Sequence, residues 1–135
     1  MADNIKLEVV TPEKSVISED VHIVMAPGSE GEFGVLAGHT PFLTSLKVGP
    51  VHWQDSTGKE VCAFVSGGFA EALPDRVTIL AESAERRRDI DLARAKAARE
   101  RAGKRLAGEE KDINVARAKA ALARALHRID LAEMG

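Results

Sequence analysis

The residues of this chain with the most obvious chemical potential cluster in the stretch APGSEGEFGVLAGHTPFLTSLKVGP, residues 26–50. Gly28, Gly31, Gly34 and Gly38 punctuate it, the carboxylates Glu30 and Glu32 lie between them, and His39 precedes Thr40-Pro41. A phosphate-binding loop needs a lysine after its last glycine and a helix behind it. No lysine follows here, and two carboxylates would repel a phosphate. A metal centre needs clustered ligands, whereas His22, His39 and His52 are scattered through extended segments without ligand spacing. Nucleophilic catalysis finds no support either. Ser66 stands in Val65-Ser66-Gly67 and lacks the G-x-S-x-G nucleophile elbow, because Phe64 occupies the place of its first glycine. Cys62 alternates with Ala63 and Phe64 in an apolar run and reads as a small core residue. No acid–base or nucleophile constellation remains, so the expectation is a non-enzymatic chain with no catalytic residue and no metal. The glycines then read as a tight corner, and that corner can present Glu30 and Glu32 outward to a partner.

A second set of candidates lies near the C-terminus. At about 100° per residue, Asp91, Arg94 and Arg101 fall within an arc of about 80°, and Arg117, Arg124 and Arg128 within about 40°. Guanidinium forks suit phosphate oxygens, and a carboxylate can hold an arginine or accept from an amine. The alternative reading of these charges is a solvated helix face.

These candidates must be positioned by two parts of different character. Residues 1–83 carry 5 basic and 12 acidic side chains; residues 84–135 carry 14 basic and 9 acidic ones. All five aromatics and all five prolines lie before residue 75, while alanine supplies 14 of the last 52 residues. The seam falls between Glu82 and Asp89, giving an acidic β-type domain over 1–84 and a basic helical domain over 85–135. Before the seam, NIKLEVV alternates with period two and ends at Thr11-Pro12. Gly49-Pro50, Thr57-Gly58, Gly67-Gly68 and Pro74-Asp75 then separate further short strands. The class is α+β: an antiparallel sandwich or barrel, then helices.

After the seam, DIDLARAKAARERAGKRL is helical, weakened at Gly103 and stopped at Gly108. Asp112 is the expected N-cap of a second helix. Apolar stripes run through Leu92, Ala95, Ala98, Ala102 and Leu106, and through Val115, Ala118, Leu122, Ala125 and Ile129. The short link predicts an antiparallel hairpin. Stripes made mostly of alanine bury little area, so the docked hairpin is expected to be only marginally stable and movable by a ligand or partner. A single cysteine excludes an internal disulfide and favours a cytosolic setting. No run of about 18 apolar residues is present, and MADNIKLEVV has no secretory-signal pattern.

The segments EVVTPEK, APGSEGEFGVLAGHTPFLTSLKVG, FVSGGFAE and IDLARAKAARERA, in that order, resemble the epsilon subunits of bacterial and chloroplast F-type ATP synthases. Ala37 departs from the family, which often has proline before the Gly-His pair. The resemblance implies an N-terminal sandwich of about ten strands and a C-terminal helix pair. It implies a non-catalytic rotor subunit of the central stalk that couples proton flow to ATP synthesis. Its partners would be the gamma subunit and the c-subunit ring, with Glu30, Glu32 and His39 at the docking corner. It further implies inhibition of ATP hydrolysis by helices that swing from a compact arrangement to an extended one among alpha and beta subunits. ATP is the implied regulatory ligand of the compact form, through Ile90-Asp91-Leu92-Ala93-Arg94-Ala95 with Glu85, Arg101, Arg124 and Arg128. The implied location is the cytoplasmic face of the bacterial inner membrane, or the thylakoid stromal face, with membrane contact only through the complex.

Two other classes compete. One is a free-standing ATP-sensing module, which copurification with alpha, beta and gamma subunits would exclude. The other is a nucleic-acid binder using the basic helices. It is disfavoured by the nine interspersed acids, and by the absence of aromatics beyond residue 70 on which bases could stack.

Overall fold

The structure is a computed structural model that describes residues 4–108 and 114–134. Seven strands come first: β1 (Ile5–Val10), β2 (Ser15–Gly28), β3 (Gly31–Val35), β4 (Phe42–Asp55), β5 (Glu60–Leu73), β6 (Arg76–Leu80) and β7 (Ala84–Arg86). A 3₁₀ turn over Arg87–Asp89 leads to α1 (Leu92–Leu106) and α2 (Val115–Glu133). The chain forms two compact units, Met1–Arg86 and Arg87–Gly135. Glu85 and Arg86 fall on the strand side because they pair with Phe64 and Ala63 of β5.

Period-two alternation puts Ile5, Leu7 and Val9 inside the sandwich, each at most 1% exposed. The sheet closes on itself: β1 pairs β2, β2 pairs β4, β4 pairs β5, β5 pairs β6, and β6 returns to β1. A ring of five strands cannot alternate direction all the way round. Four of its pairs are antiparallel, and β1–β6 is parallel, from Lys6 opposite Arg76 to Val10 opposite Leu80. The expected antiparallel pairing holds at the other four pairs of the ring and gives way only at this seam among the described residues. The expected ten strands are seven among the described residues, because the long strands change neighbours along their length. β2, 14 residues long, pairs β1 through Ser15–Val21 and β3 through Val24–Gly28, with register breaks against β4 on either side of Ile23–Met25. Closure also leaves β1 with no free edge.

β5 turns a corner at Ser66-Gly67-Gly68-Phe69. Gly67 and Gly68 take φ of 105° and 129°, in the region that side chains disfavour. Ser66 N–H donates to the Ser83 carbonyl at 3.1 Å, and Ser83 N–H donates back to Ser66 Oγ at 2.9 Å. These bonds hand the chain from β6 to β7 on the same side of β5. At the β4–β5 turn, Asp55 Oδ1 accepts from Thr57 Oγ1 (2.6 Å), Thr57 N (2.9 Å) and Lys59 N (3.0 Å). These bonds, the Thr57 hydroxyl foremost, hold its carboxyl below the ordinary aspartate range. Cys62 is half-buried rather than a core residue. The fully buried run of β5 starts one residue later, at Ala63-Phe64-Val65, each 0% exposed, with Ala63 and Val65 facing the sandwich core.

In the helical unit, α1 starts later than its sequence pattern suggests. Arg87–Asp89 is taken up by the 3₁₀ turn, and Asp91 caps the helix, its Oδ1 accepting from Arg94 N at 3.0 Å. Asp112, the expected cap of α2, lies outside the described residues; Asn114 is the cap, accepting from Arg117 N at 3.0 Å. Gly108, at φ 82°, follows the end of α1. Ala95 and Ala102 are the buried residues of α1; those of α2 are Ala118, Ala125, Ile129 and Leu131. Val115, at one end of the expected stripe, is 50% exposed.

Candidate functional site

The glycine-rich corner is built from β2, β3 and the segment leading into β4. Glu30 sits in the exposed β2–β3 turn, next to the pairing of Gly28 with Gly31. A Cβ on Gly28 would meet the Gly31 carbonyl oxygen at 2.7 Å, so close backbone approach explains the glycine there. Glu32 is exposed but held: its Oε2 lies 3.2 Å from His52 Nε2, and His52 Nδ1 lies 3.1 Å from Glu60 Oε1. The imidazole thus spans β3, β4 and β5 with one carboxylate at each nitrogen. The two carboxylates use opposite edges of the ring, so they do not converge on one cation. Among the described residues no group of three His, Cys, Asp or Glu could hold a metal ion. His39 is half-buried, with Nδ1 2.7 Å from the Thr40 carbonyl and its ring edge-on to Phe42 at 5.1 Å. Phe42 in turn packs edge-on to Phe33 at 5.1 Å. His39 therefore shapes the corner that carries Glu30 and Glu32.

The ring of β4, β5 and β6 carries a feature that no local pattern announces. Phe69 is paired with both Ser45 and Leu80, and Leu43 pairs with Glu71 two residues along β5. Alternation puts Leu43, Phe69 and Leu80 on one outer face, where they are 71%, 56% and 55% exposed. Three large apolar side chains thus share one exposed sheet surface.

The remaining candidates lie in or next to the helices. Glu85 is half-buried in the middle of β7, within the first unit. Ile90 is half-buried, and its N–H donates to the Arg87 carbonyl at 3.3 Å. Asp91, Arg94 and Arg101 are exposed, Arg124 and Arg128 are half-buried, and Ala95 is packed at 3% exposure. Asp91 is thus first of all a capping residue. Asp91→Ala should cost about 1 kcal/mol of helix stability with no ligand present, whereas Asp91→Asn keeps the cap and removes only the charge. Thermal unfolding of the two variants checks this.

An internal repeat organises the arginines. Residues 89–106 and 112–129 are two copies of one sequence, offset by 23 and identical at 11 of 18 positions. The offset superposes the buried residues Ala95 on Ala118 and Ala102 on Ala125, and the caps Asp91 on Asn114. It superposes Arg94, Arg101 and Arg105 on Arg117, Arg124 and Arg128. In both helices these arginines lie about 70–110° to the same side of the buried alanines. Two copies of one helix, packed antiparallel through the same stripe, are related by a two-fold axis normal to the plane of the pair. Such an axis keeps each flank on its own side, so the six arginines line one side of the hairpin.

Two family models cover nearly the whole chain. The ATP synthase delta/epsilon chain beta-sandwich domain matches residues 4–87, and the delta/epsilon chain long alpha-helix domain matches residues 88–133. The ATP synthase epsilon chain of Desulfosudis oleivorans is 68% identical over 106 residues, 78% of this chain and 80% of that one. That of Desulforapulum autotrophicum is 64% identical over 79% of each chain. A chain in the Euglena gracilis mitochondrial ATP synthase OSCP/F1/c-ring assembly superposes with a TM-score of 0.75 at 25% identity, over 98% of this chain and 82% of that one. Sandwich, hairpin and sequence all agree: this chain belongs to the delta/epsilon family of ATP synthase subunits, on its epsilon branch.

Proposed function

We propose that the chain is a non-catalytic rotor subunit of the central stalk, and that its hairpin is an ATP-responsive brake on hydrolysis. The sandwich would dock on the gamma subunit and the c-subunit ring, as a peripheral subunit on the cytoplasmic face of the membrane. The apolar face of Leu43, Phe69 and Leu80 suits a permanent protein partner, and the acidic corner with Glu30 and Glu32 suits polar loops. Family membership and the likeness to chains of assembled synthases support the stalk reading. Among the described residues no helix is long and apolar enough to cross a membrane.

The regulatory part rests on the 23-residue repeat, whose helical period assigns six arginines to one flank of the paired helices. An ATP triphosphate is a compact polyanion, and guanidinium groups on two helices reach it only while the helices stay paired. ATP would therefore bind the compact hairpin and not the opened one. At a hundredfold excess over Kd, such binding stabilises the compact form by about 2.7 kcal/mol. Four of the six buried residues of the two helices are alanines, with Ile129 and Leu131 the larger two, so modest burial opposes opening and a shift of that size can decide the equilibrium. Opened helices would extend among alpha and beta subunits and block hydrolysis.

Calorimetric titration of the isolated chain with ATP tests this reading. A charge-assisted hydrogen bond contributes about 1.5–3 kcal/mol, so Arg101→Ala and Arg124→Ala should each weaken binding about ten- to a hundredfold. Unchanged affinity in both variants removes the nucleotide site. Failure to copurify with the gamma subunit removes the stalk assignment.

A further inference from the structure

The first unit holds, at its last residue Arg86, a polar bridge that none of the roles above uses. Glu19, on β2, accepts the Trp53 Nε1–H at 2.7 Å through Oε1, and the Arg86 Nη2–H at 3.2 Å through Oε2. Trp53 is 0% exposed, so its indole N–H requires a protein acceptor. The Glu19 and Arg86 side chains are 29% and 24% exposed, and a pair so withdrawn from solvent is screened less than a surface one. One carboxylate thereby ties together three strands whose residues are 34 and 67 positions apart in sequence.

Arg86 is the last residue of β7, which is three residues long and pairs β5 through Ala63, Phe64 and Val65. A strand that short has few ladder bonds of its own to keep it in place. The 3₁₀ turn and the helical unit begin at the next residue, Arg87. We propose that Glu19 is the tether of this junction: by holding Arg86 it keeps β7 in the sheet and sets the pivot of the helical unit at Arg87. Without the tether, β7 peels from β5 and the pivot moves back to the Ala81–Ser83 segment, lengthening the free arm by the strand. The consequence for the brake rests on the regulatory reading above; the tether itself does not.

Hydrogen exchange on the full chain, without nucleotide, separates the two. Glu19→Gln keeps an acceptor for Trp53 but turns an amide NH2 toward Arg86. Arg86→Gln breaks the same pair without touching Trp53 and decides the matter should Glu19→Gln fold poorly. Both variants should exchange the amides of residues 84–86 about tenfold faster, with β1 and β4 unchanged and the fluorescence maximum of Trp53, the single tryptophan, unmoved. Arg86→Lys, which keeps a cation, should bring exchange at 84–86 back toward wild type. Unchanged exchange at 84–86, equal acceleration throughout the sandwich, or a Lys variant as fast as Gln would each overturn the tether.

Discussion

Gly68→Ala should destabilise the sandwich by at least about 4 kcal/mol, while its neighbour Gly67→Ala should cost only about 1–2 kcal/mol. Both glycines have positive φ, at 129° and 105°, so both substitutions force a side chain into a disfavoured backbone region. Only at position 68 is there also no room. A Cβ there would lie inside contact distance of the Leu80 carbonyl oxygen, 2.9 Å from the Leu80 carbonyl carbon and 3.0 Å from the Ala81 Cα. All three are backbone atoms, and Leu80 and Ala81 are fixed by pairing with Phe69 and by the bond from Ala81 N to the Val10 carbonyl at 3.0 Å. At Gly67 the nearest atom is the Leu46 carbonyl oxygen at 3.4 Å, an ordinary contact. A domain of this size loses about 4–8 °C of melting temperature per kcal/mol, so Gly68→Ala should fall by about 15 °C or more. Melting curves of the two variants check this. Equal losses at both positions would mean that the close approach of β5 to β6 does not govern the corner.

Ending the chain after Arg86 should leave a folded sandwich that no longer binds ATP and no longer restrains hydrolysis in the assembled enzyme. Every residue of the sandwich core, from Ile5 to Ala84, lies within the retained part. The six arginines lie outside it. The place of the cut matters. The composition seam suggests ending after Ser83, but that removes β7 with buried Ala84 and the Glu19–Arg86 pair. The shorter product should therefore melt lower than the longer one by about 10 °C, from a loss on the order of 2 kcal/mol. Circular dichroism of the two products and hydrolysis rates of the reconstituted enzyme measure both effects. Hydrolysis as restrained with residues 1–86 as with the full chain would show that the hairpin is not the brake.

Much of this protein is legible in its sequence because much of it is local. The alternation of Ile5, Leu7 and Val9 fixes a strand face over a few residues, and the break in aromatic and proline content at residue 75 separates the β part from the helices. Gly67-Gly68 and Gly108 mark turns through their own backbone freedom. The 23-residue repeat, and with it the two arginine rows, is likewise written in the chain. What sequence could not supply are meetings between distant residues. Nothing near Glu19 announces Trp53 or Arg86, and nothing near His52 announces Glu32. The exposed face of Leu43, Phe69 and Leu80 exists only because β4, β5 and β6 lie side by side. The parallel seam of β1 with β6 follows from closing a ring of five strands, a property of the whole sheet. Backbone preference and side-chain periodicity act over a few bonds and leave their record in neighbouring residues. Sheet closure brings together segments tens of residues apart, and which carboxylate then meets which cation is decided only by the three-dimensional register.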